Sequence, residues 1–308
     1  MPREIFGPGF QFVPRDELLH FEEIARVVAS FARAGVNKVR LTGGEPLLRA
    51  GLPGLVEMIA AIPGVDDIAL TTNGSLLTRH AQRLRDAGLT RITVSLDTLD
   101  ADTFAAVADS EVTLDAVLAG IASASTAGFA PLKVNAVIKR GWNDADVERL
   151  AEFGRKHGHR MRFIEYMDVG DTNGWRLDDV VPAAEIVDRI GARWPIEPVA
   201  AGYPGEVANR FRYVDGAGEV GVISSITQPF CATCTRARLS AIGEVYTCLF
   251  ASSGHDLRAL LRSGADDEAL DVAVRALWTM RADRYSELRA RHASHEGPRR
   301  VEMSYIGG

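Results

Sequence analysis

Short apolar segments alternate with amphipathic helical segments along the first half of the chain, and this alternation constrains the fold more than any other feature. The apolar segments have the length and the aliphatic and β-branched content of buried strands, and a helical pattern follows each one. Strands that alternate with helices lie parallel in one sheet, joined by right-handed crossovers. The sequence therefore predicts an α/β fold, as an open doubly wound sheet or a (β/α) barrel. The predicted strands are 38–42, 67–72, 91–96, 132–138 and 161–166.

The two ends of this pattern set the expected domain boundaries. The alternation begins with a helix at Pro14, whereas a (β/α) array begins with a strand. Either this helix is an addition or the printed sequence lacks the first strand and its loop. After Asp168 the pattern changes to polar loops, a hairpin around 215–218 and short helices. We expect a strand–helix array over 1–170 and a C-terminal extension over 171–308 that packs across its open side.

Polar residues recur at the end of every predicted strand. Turns and helix caps explain asparagine or aspartate at any one of these positions. Five such positions in register, together with Arg40 and Lys133 inside strands, indicate a substrate cavity. The positions are 43–46, 71–73, 95–97, 133–135 and 165–167.

All three cysteines of the sequence lie in one stretch, with the spacing C-x2-C-x13-C. An odd number excludes a closed set of disulfides, and three thiolates can hold a metal or an iron–sulfur cluster with a vacant position. Two arginines at 236 and 238 lie beside that position and suit an anionic substrate. A structural zinc site, with His255 or water as the fourth ligand, is the alternative, and the spacing does not choose between them. The cysteines are Cys231, Cys234 and Cys248.

Composition and missing motifs exclude several classes of function. A net charge of −6 gives no overall attraction to nucleic acid or to a membrane surface, and no apolar run approaches the roughly 20 residues of a membrane span. No signal peptide follows Met1, and clustered, unpaired cysteines fit a reducing compartment, so we expect a cytoplasmic protein. Neither phosphate-loop motif is present and no nucleophile–base set is legible, which favours chemistry carried by a cofactor.

Several segments resemble the GTP 3′,8-cyclase family of molybdenum-cofactor biosynthesis, within the radical S-adenosylmethionine (SAM) superfamily. The Gly-Gly-Glu-Pro element at 43–46 alone indicates only the superfamily, whereas the cysteine stretch with its internal Arg-Ala-Arg and the terminal Gly-Gly indicate this family. The other similar segments are 39–49, 70–77, 95–100, 133–144 and 162–170.

The resemblance implies a fold, a reaction and partners. The implied fold is an incomplete (β/α)6 partial barrel missing its first strand, with a C-terminal α+β extension covering the open side. The implied enzyme is a radical SAM lyase that converts GTP to 3′,8-cyclo-7,8-dihydro-GTP, with one [4Fe–4S] cluster that cleaves SAM and a second whose open iron holds the guanine. An electron donor, a downstream cyclic pyranopterin monophosphate synthase and a homodimer are the implied partners.

The resemblance also assigns residues by position. Cys231, Cys234 and Cys248 match the ligands of the second cluster. The terminal pair, Gly307 and Gly308, matches a tail that reaches the active site. The matches to GTP contacts are Arg40, Thr71, Lys133, Arg236, Ala237 and Arg238. The matches to SAM contacts are Gly44, Ser95 and Met167, with Glu45 and Asn73 expected nearby.

The sequence departs from the family at its beginning. The C-x3-C-x2-C motif that binds the SAM-cleaving cluster is absent, and the family has Met-Pro directly after that motif, where this sequence begins with Met1-Pro2. We expect a start codon placed at an internal methionine or a shortened gene product, and we expect the printed chain not to start the reaction alone. The alternatives are a non-catalytic paralogue that binds a cluster and GTP, and a zinc-stabilised structural protein.

Overall fold

Five parallel strands form one side of a sheet, from its edge at the first strand inward, and each pairs with the next one along the chain. The structure, a computed structural model, describes residues 13–169 and 174–281 and the single positions 285, 287, 301 and 305. The strand order shows no reversal from the first strand to the fifth, which excludes the doubly wound alternative. These strands confirm the predicted alternation: β1 Lys38–Leu41, β2 Asp67–Thr72, β3 Arg91–Ser95, β4 Lys133–Ile138 and β5 Arg160–Glu165.

Helices separate these strands at the predicted places. Side-chain caps fix two of their beginnings, because Asp100 Oδ1 accepts from Thr103 N at 2.9 Å and Thr113 Oγ1 accepts from Ala116 N at 3.2 Å. The helices are α1 Phe21–Arg33, α2 Leu52–Ala60, α3 Leu77–Asp86, α4 Ala101–Ala108, α5 Leu114–Ala124 and α6 Val147–His157.

The first helix begins later than the sequence indicates. Pro14 opens only a short 3-10 turn, and α1 starts at Phe21. A capping box sets this start, since His20 N donates to Glu23 Oε2 at 2.7 Å. Leu19 is buried and its N–H donates to the carbonyl of Ala241 at 2.8 Å, so this apolar residue serves a loop contact instead of a helix face.

The chain beyond residue 174 lengthens the same sheet. The predicted hairpin is confirmed as β7 and β8, and β8 pairs in parallel with β5. The sequence reading missed β6, which lies at the edge of the sheet and contains Pro198, a residue that edge strands tolerate. The sheet order is β1-β2-β3-β4-β5-β8-β7-β6, and the described residues do not close it. The added elements are α7 Ala183–Arg193, β6 Ile196–Val199, β7 Asn209–Tyr213 and β8 Glu219–Ile223.

A second, smaller layer packs on α1. It contains a three-stranded sheet and two helices, and its core includes Leu19 and Val27 from the N-terminal side. Arg33 holds α1 to the last helix by donating to Asp271 from Nε and Nη2, both at 2.7 Å. The elements are β9 Arg238–Leu239, β10 Glu244–Tyr246, β11 His255–Asp256, α8 Arg258–Arg262 and α9 Asp267–Thr279.

The two faces of the large sheet differ in polarity. In β4 the side chains of Val134, Ala136 and Ile138 are buried in the main core, whereas Lys133 and Asn135 point to the opposite face. This alternation makes the second face of the sheet a polar surface. None of the described helices is both long enough and apolar enough to cross a membrane.

Candidate active site

Polar residues on the open face of the sheet lie at two levels along the strands. The register places Lys133 opposite Thr93, and two residues further on it places Asn135 opposite Ser95. Two residues of strand correspond to about 7 Å. Two of the predicted GTP cations, Arg40 and Lys133, therefore lie in the sheet itself, and the predicted SAM residues lie at and beyond the carboxyl ends of the strands.

Arg40 anchors the lower level next to two threonine hydroxyls. Its Nη1 donates to Thr71 Oγ1 at 2.7 Å and to Thr93 Oγ1 at 3.3 Å. The guanidinium keeps some exposed surface but is surrounded by protein, and this burial together with the nearby Arg162 lowers the pKa of Arg40 to about 10. The structure thus brings together Arg40 and Thr71, which the resemblance had assigned to one ligand.

Lys133 and Arg162 extend this positive surface onto β4 and β5. Burial, then the charges of Arg162, Arg91 and Arg40, lowers the pKa of Lys133 to about 8. Burial also lowers the pKa of Arg162. The sequence reading missed Arg162, although strand alternation from Lys133 and its partner strand places it on the same face.

Some cations of this face are neutralised and others are not. Arg91 Nε donates to Asp67 Oδ1 at 2.7 Å, and Arg160 Nε lies 3.7 Å from Glu219 Oε2. Four others form no ion pair within the described part of the chain. We call these four the cationic face: Lys38, Arg40, Lys133 and Arg162. Unpaired cations gathered on one face of a sheet favour a polyanionic ligand.

The Gly-Gly-Glu-Pro loop at the carboxyl end of β1 is held by its own glutamate. Glu45 Oε1 accepts from Leu47 N at 3.0 Å and from Thr72 Oγ1 at 2.7 Å, and Oε2 accepts from Asn73 N at 2.8 Å. Both carboxylate oxygens therefore tie the loop to the end of β2. Gly44 is exposed beside this anchor, so its backbone is open to a ligand.

Asn73 also makes local contacts. Its Oδ1 accepts from Ser75 N at 2.9 Å and from Ser75 Oγ at 2.7 Å. These are the contacts of an asparagine in a turn, which the sequence analysis gave as one explanation for Asn73. Ser95 is exposed at the end of β3, and Met167 is half-buried after β5. The structure thus places all the predicted SAM residues at one edge of the sheet.

Asn135 has a buried acceptor that no described residue satisfies. Its Oδ1 is buried without a hydrogen-bond partner in the described parts of the chain, and Asn135 lies between Ser95 and Arg162 in register. Buried polar atoms are nearly always paired, so this oxygen is available to a donor on a ligand.

Asp97 lies just above Ser95 in a protected position. Its Oδ1 accepts from Val137 N at 2.8 Å, while burial raises the pKa of the carboxyl to about 6. Asn143 fixes the loop by donating from Nδ2 to the carbonyl of Asp97 at 2.7 Å. A carboxylate held in this way is better suited to fix the loop as a hydrogen-bond acceptor than to act as a mobile general base.

The cysteine stretch faces this sheet surface from the second layer. Cys231 and Cys234 share one tight turn, closed by Cys234 N donating to the carbonyl of Cys231 at 3.1 Å. Cys248 follows β10 in the neighbouring strand pair, and its Sγ accepts from Phe250 N at 3.4 Å. Arg238, in β9, lies within electrostatic reach of both Cys234 and Cys248.

Guanidinium groups surround the Cys234 sulfur. Arg236 Nε and Nη2 each lie 3.3 Å from Cys234 Sγ, and Arg281 Nη2 lies 3.2 Å from it. Burial opposes ionisation of this thiol, but Arg236 and Arg281 outweigh burial, so the pKa of Cys234 is lowered. Burial and the charge of Arg236 lower the pKa of Arg238 to about 10.

The chemistry of these thiols and guanidinium groups fits an anionic iron–sulfur cluster. Thiolate ligands beside cations and N–H donors match the way such clusters are held. The geometry is not that of a closed metal site, since no three histidine, cysteine, aspartate or glutamate side chains among the described residues are grouped as metal ligands. Ala237 packs its side chain against the second core, which leaves only its backbone to a ligand.

Glu165 links the sheet to the cysteine stretch, and the sequence reading gave it no such role. This carboxylate is fully buried at the end of β5. Its Oε1 accepts from Ala183 N at 2.7 Å and from Thr227 Oγ1 at 2.6 Å, and its Oε2 accepts from Ile226 N at 2.7 Å and from Thr227 N at 2.9 Å. It therefore fixes the segment that leads to Cys231. The predicted tail residues Gly307 and Gly308 lie outside the described residues.

Comparison with known proteins gives two family matches. Residues 5–154 match the radical SAM superfamily, and residues 159–287 match the family described as Molybdenum Cofactor Synthesis C. The GTP 3′,8-cyclase of Acidothermus cellulolyticus is 63% identical, over 100% of this chain and 91% of its own length. The chain belongs to the GTP 3′,8-cyclase family. The resemblance predicted from the sequence is thereby confirmed.

A second member of the GTP 3′,8-cyclase family matches the chain over the same length at lower identity. The enzyme of that name from Staphylococcus epidermidis is 44% identical, over 100% of this chain and 91% of its own length. Among solved structures, the [FeFe]-hydrogenase maturase HydG is 13% identical with a TM-score of 0.45, covering 60% of this chain and 44% of that chain. At that TM-score the structural likeness adds nothing to the assignment.

Proposed function

We infer that this chain acts as a GTP 3′,8-cyclase, a radical SAM lyase that converts GTP to 3′,8-cyclo-7,8-dihydro-GTP in molybdenum-cofactor biosynthesis. The observation that carries this inference is the 63% identity along the whole chain to an enzyme of that name. The site adds independent support, because unpaired cations and a cysteine stretch face one another across the polar side of the sheet.

The cationic face provides the site for the triphosphate. Arg40 and Lys133 match the family's GTP contacts, and Lys38 and Arg162 extend the same surface. Thr71 holds the Arg40 guanidinium at 2.7 Å, so this cation is oriented before a ligand arrives. Fixed cations without carboxylate partners bind phosphate with little reorganisation.

The cysteine stretch provides the site for the base. Cys231, Cys234 and Cys248 would hold a [4Fe–4S] cluster, which would supply a Lewis-acidic iron for binding the guanine. Arg236 donates to the Cys234 sulfur, which compensates part of the negative charge of a thiolate-bound cluster. Arg238 lies close to two of the three thiols and is well placed to contact bound GTP.

The carboxyl end of the sheet provides the site for SAM. Gly44 and Ser95 are exposed at this edge, about 7 Å along the strands from the Lys133 level. Glu45 acts by holding the loop, since three donors occupy its oxygens, and Asn135 Oδ1 offers a buried acceptor at the level of Ser95.

The finer parts of the sequence reading stay predictions. These are the partial barrel that lacks its first strand, the domain boundary at 170, the catalytic role of the terminal glycine pair, the electron donor, the downstream synthase and the homodimer. All the residue assignments for GTP, SAM and the cluster, including those of Ala237, Asn73 and Met167, also stay predictions, as do the cluster arrangement and the cytoplasmic location.

Binding of nucleotides to anaerobically reconstituted protein tests the proposal. We expect tighter binding of GTP than of ATP, because only the guanine is matched to the cysteine stretch, and we expect Cys248→Ser to abolish this preference while leaving triphosphate binding. Isothermal titration of both nucleotides measures it. Equal affinity for GTP and ATP in fully reconstituted protein, or tightly bound zinc in place of iron, would overturn the assignment.

A further inference from the structure

A cation–π contact joins the first strand of the sheet to the loop between β6 and β7. Lys38 Nζ lies 3.4 Å from the ring centroid of Tyr203. Lys38 is in β1 and Tyr203 is in the 200–208 loop, at opposite ends of the strand order, and no backbone pairing joins those ends in the described residues. This contact therefore brings the two ends of the sheet together beside the cationic face.

Tyr203 also borders the other cations of this face. Its phenol lies within electrostatic reach of the guanidiniums of both Arg40 and Arg162. The side chain is 43% exposed, so the ring forms part of an open wall and is not a core residue. An aromatic ring that touches one cation and borders two more is placed to act on a ligand that all of them bind.

The loop that carries Tyr203 is fixed in place. Gly202 N donates to Glu206 Oε2 at 2.6 Å, and Glu206 N donates to the carbonyl of Tyr203 at 3.2 Å. Gly205 has a φ of +81° and packs so closely on the cysteine stretch that a Cβ there would lie 2.8 Å from the carbonyl oxygen of Thr233. The loop is therefore held against the cysteine stretch at Gly205, while the Tyr203 ring contacts the sheet through Lys38.

The type of contact matters for what Lys38 can still do. A ring face attracts an ammonium without accepting its N–H groups through a lone pair, so hydrogen-bonding capacity remains for a second partner. No ion pair of Lys38 is found within the described ranges. A carboxylate in the position of Tyr203 would instead neutralise the ammonium and compete with phosphate.

We propose that Tyr203 is a positioning residue for the triphosphate, holding the Lys38 ammonium over its ring so that the N–H groups point to the terminal phosphates. This rests on the proposed function for its ligand, since the triphosphate is that of GTP. This role predicts that the contribution of Tyr203 to affinity depends on the number of phosphates in the ligand and not on its base or on bound SAM.

The test compares Tyr203→Leu with Tyr203→Phe, which keeps the ring. Affinities for inorganic tripolyphosphate, GTP, GDP and GMP are measured by isothermal titration on the full chain. We expect Tyr203→Leu to weaken tripolyphosphate and GTP by about 3- to 30-fold, with a smaller loss for GDP and least for GMP, and Tyr203→Phe to stay close to the parent.

A double-mutant cycle with Lys38→Met separates positioning from packing. We expect Tyr203→Leu to have no further effect on tripolyphosphate binding once Lys38 is replaced. An equal loss in the Lys38→Met background, an equal loss for GMP and GTP, or no loss for tripolyphosphate in a folded Tyr203→Leu protein would overturn the proposal. Failure of the proposed function would appear differently, as equal GTP and ATP affinities, and the tripolyphosphate series would still decide the role of Tyr203.

Discussion

At the scale of single residues, the cations around the site differ in whether a carboxylate already satisfies them. Arg91 is held by Asp67, whereas among the described residues Arg40 is held only by the neutral hydroxyls of Thr71 and Thr93. Burial lowers the pKa of Arg40, which means that its charged form is poorly solvated before a ligand binds. A phosphate restores that solvation, so these cations are the ones whose replacement we expect to reduce binding most.

The two arginines of the cysteine stretch give the first mutational prediction. Arg236→Ala and Arg238→Ala should each weaken GTP binding by about 1–3 kcal/mol, the range for a charge-assisted hydrogen bond to phosphate. Equilibrium dialysis with labelled GTP measures the loss. Arg193→Ala, which removes an exposed cation paired with Glu152 at 3.4 Å on an outer helix, is the control and should bind GTP like the parent. Unchanged affinity in both stretch variants would refute direct contact.

Lys133 gives a pH prediction. Its pKa of about 8 lies below its ordinary value because of burial and neighbouring cations, so the free protein loses this charge as the pH rises through 8. A bound polyanion favours the protonated form, so GTP binding should take up protons near pH 8 and weaken above it. Titration in buffers of different ionisation enthalpy measures the uptake.

The matched variant for that experiment is Lys133→Arg, which stays charged over the same range. Its GTP affinity should be nearly independent of pH between about 7 and 9, and its proton uptake should disappear. The stability of the parent protein changes with pH in the opposite direction to its GTP affinity. Because the unfolded chain binds the Lys133 proton more tightly, unfolding free energy should rise as the pH increases above 8. Proton uptake equal in parent and Lys133→Arg would show that another group titrates.

At the scale of elements, the connection between the sheet and the cysteine stretch depends on one carboxylate. Glu165→Gln would place an amide NH2 against the buried backbone donor of Ala183, or against that of Ile226 or Thr227, whose hydrogen bonds to Glu165 are partly buried. We expect a loss of about 2–4 kcal/mol in unfolding free energy, from urea denaturation, and a lower iron content after reconstitution. The iron content should fall because the segment that leads to Cys231 loses its anchor in this variant.

An exposed glutamate provides the control for that variant. Glu152→Gln removes the same charge at a surface pair with Arg193, and should change unfolding free energy by less than about 1 kcal/mol. Full stability in Glu165→Gln would contradict the role assigned to its four hydrogen bonds. Normal stability together with a normal cluster would contradict the link between Glu165 and the cysteine stretch.

Element types along the chain were largely predictable from local patterns. Hydrophobic periodicity placed β1 to β5 and their helices, because each of these short apolar strands is followed by a helix with its own apolar pattern. The edge strand β6 was missed because Pro198 interrupts its pattern, and the start of α1 was misplaced because Leu19 serves a loop contact. The cysteine stretch was visible as a spacing, but the guanidiniums around Cys234 come partly from Arg281, 47 positions away.

At the scale of the whole molecule, the site is made by parts of the chain that the sequence separates widely. Strand alternation could have found Arg162 and Lys38 once Lys133 and Arg40 were placed, because alternate residues share a face. Nothing local indicates that the 200–208 loop reaches β1, since this depends on how the sheet curves. The family resemblance covers both halves of the site, and the packing of the second layer on α1 is what holds them facing each other.

The most direct test of the account is a crystal structure of the anaerobically reconstituted protein with GTP. We predict that the triphosphate lies within hydrogen-bonding distance of Arg40, Lys133 and Arg162, with the Lys38 ammonium between the phosphates and the Tyr203 ring. We predict that the guanine lies against the group held by the cysteine stretch. A triphosphate bound elsewhere, or a guanine remote from the three cysteines, would contradict it.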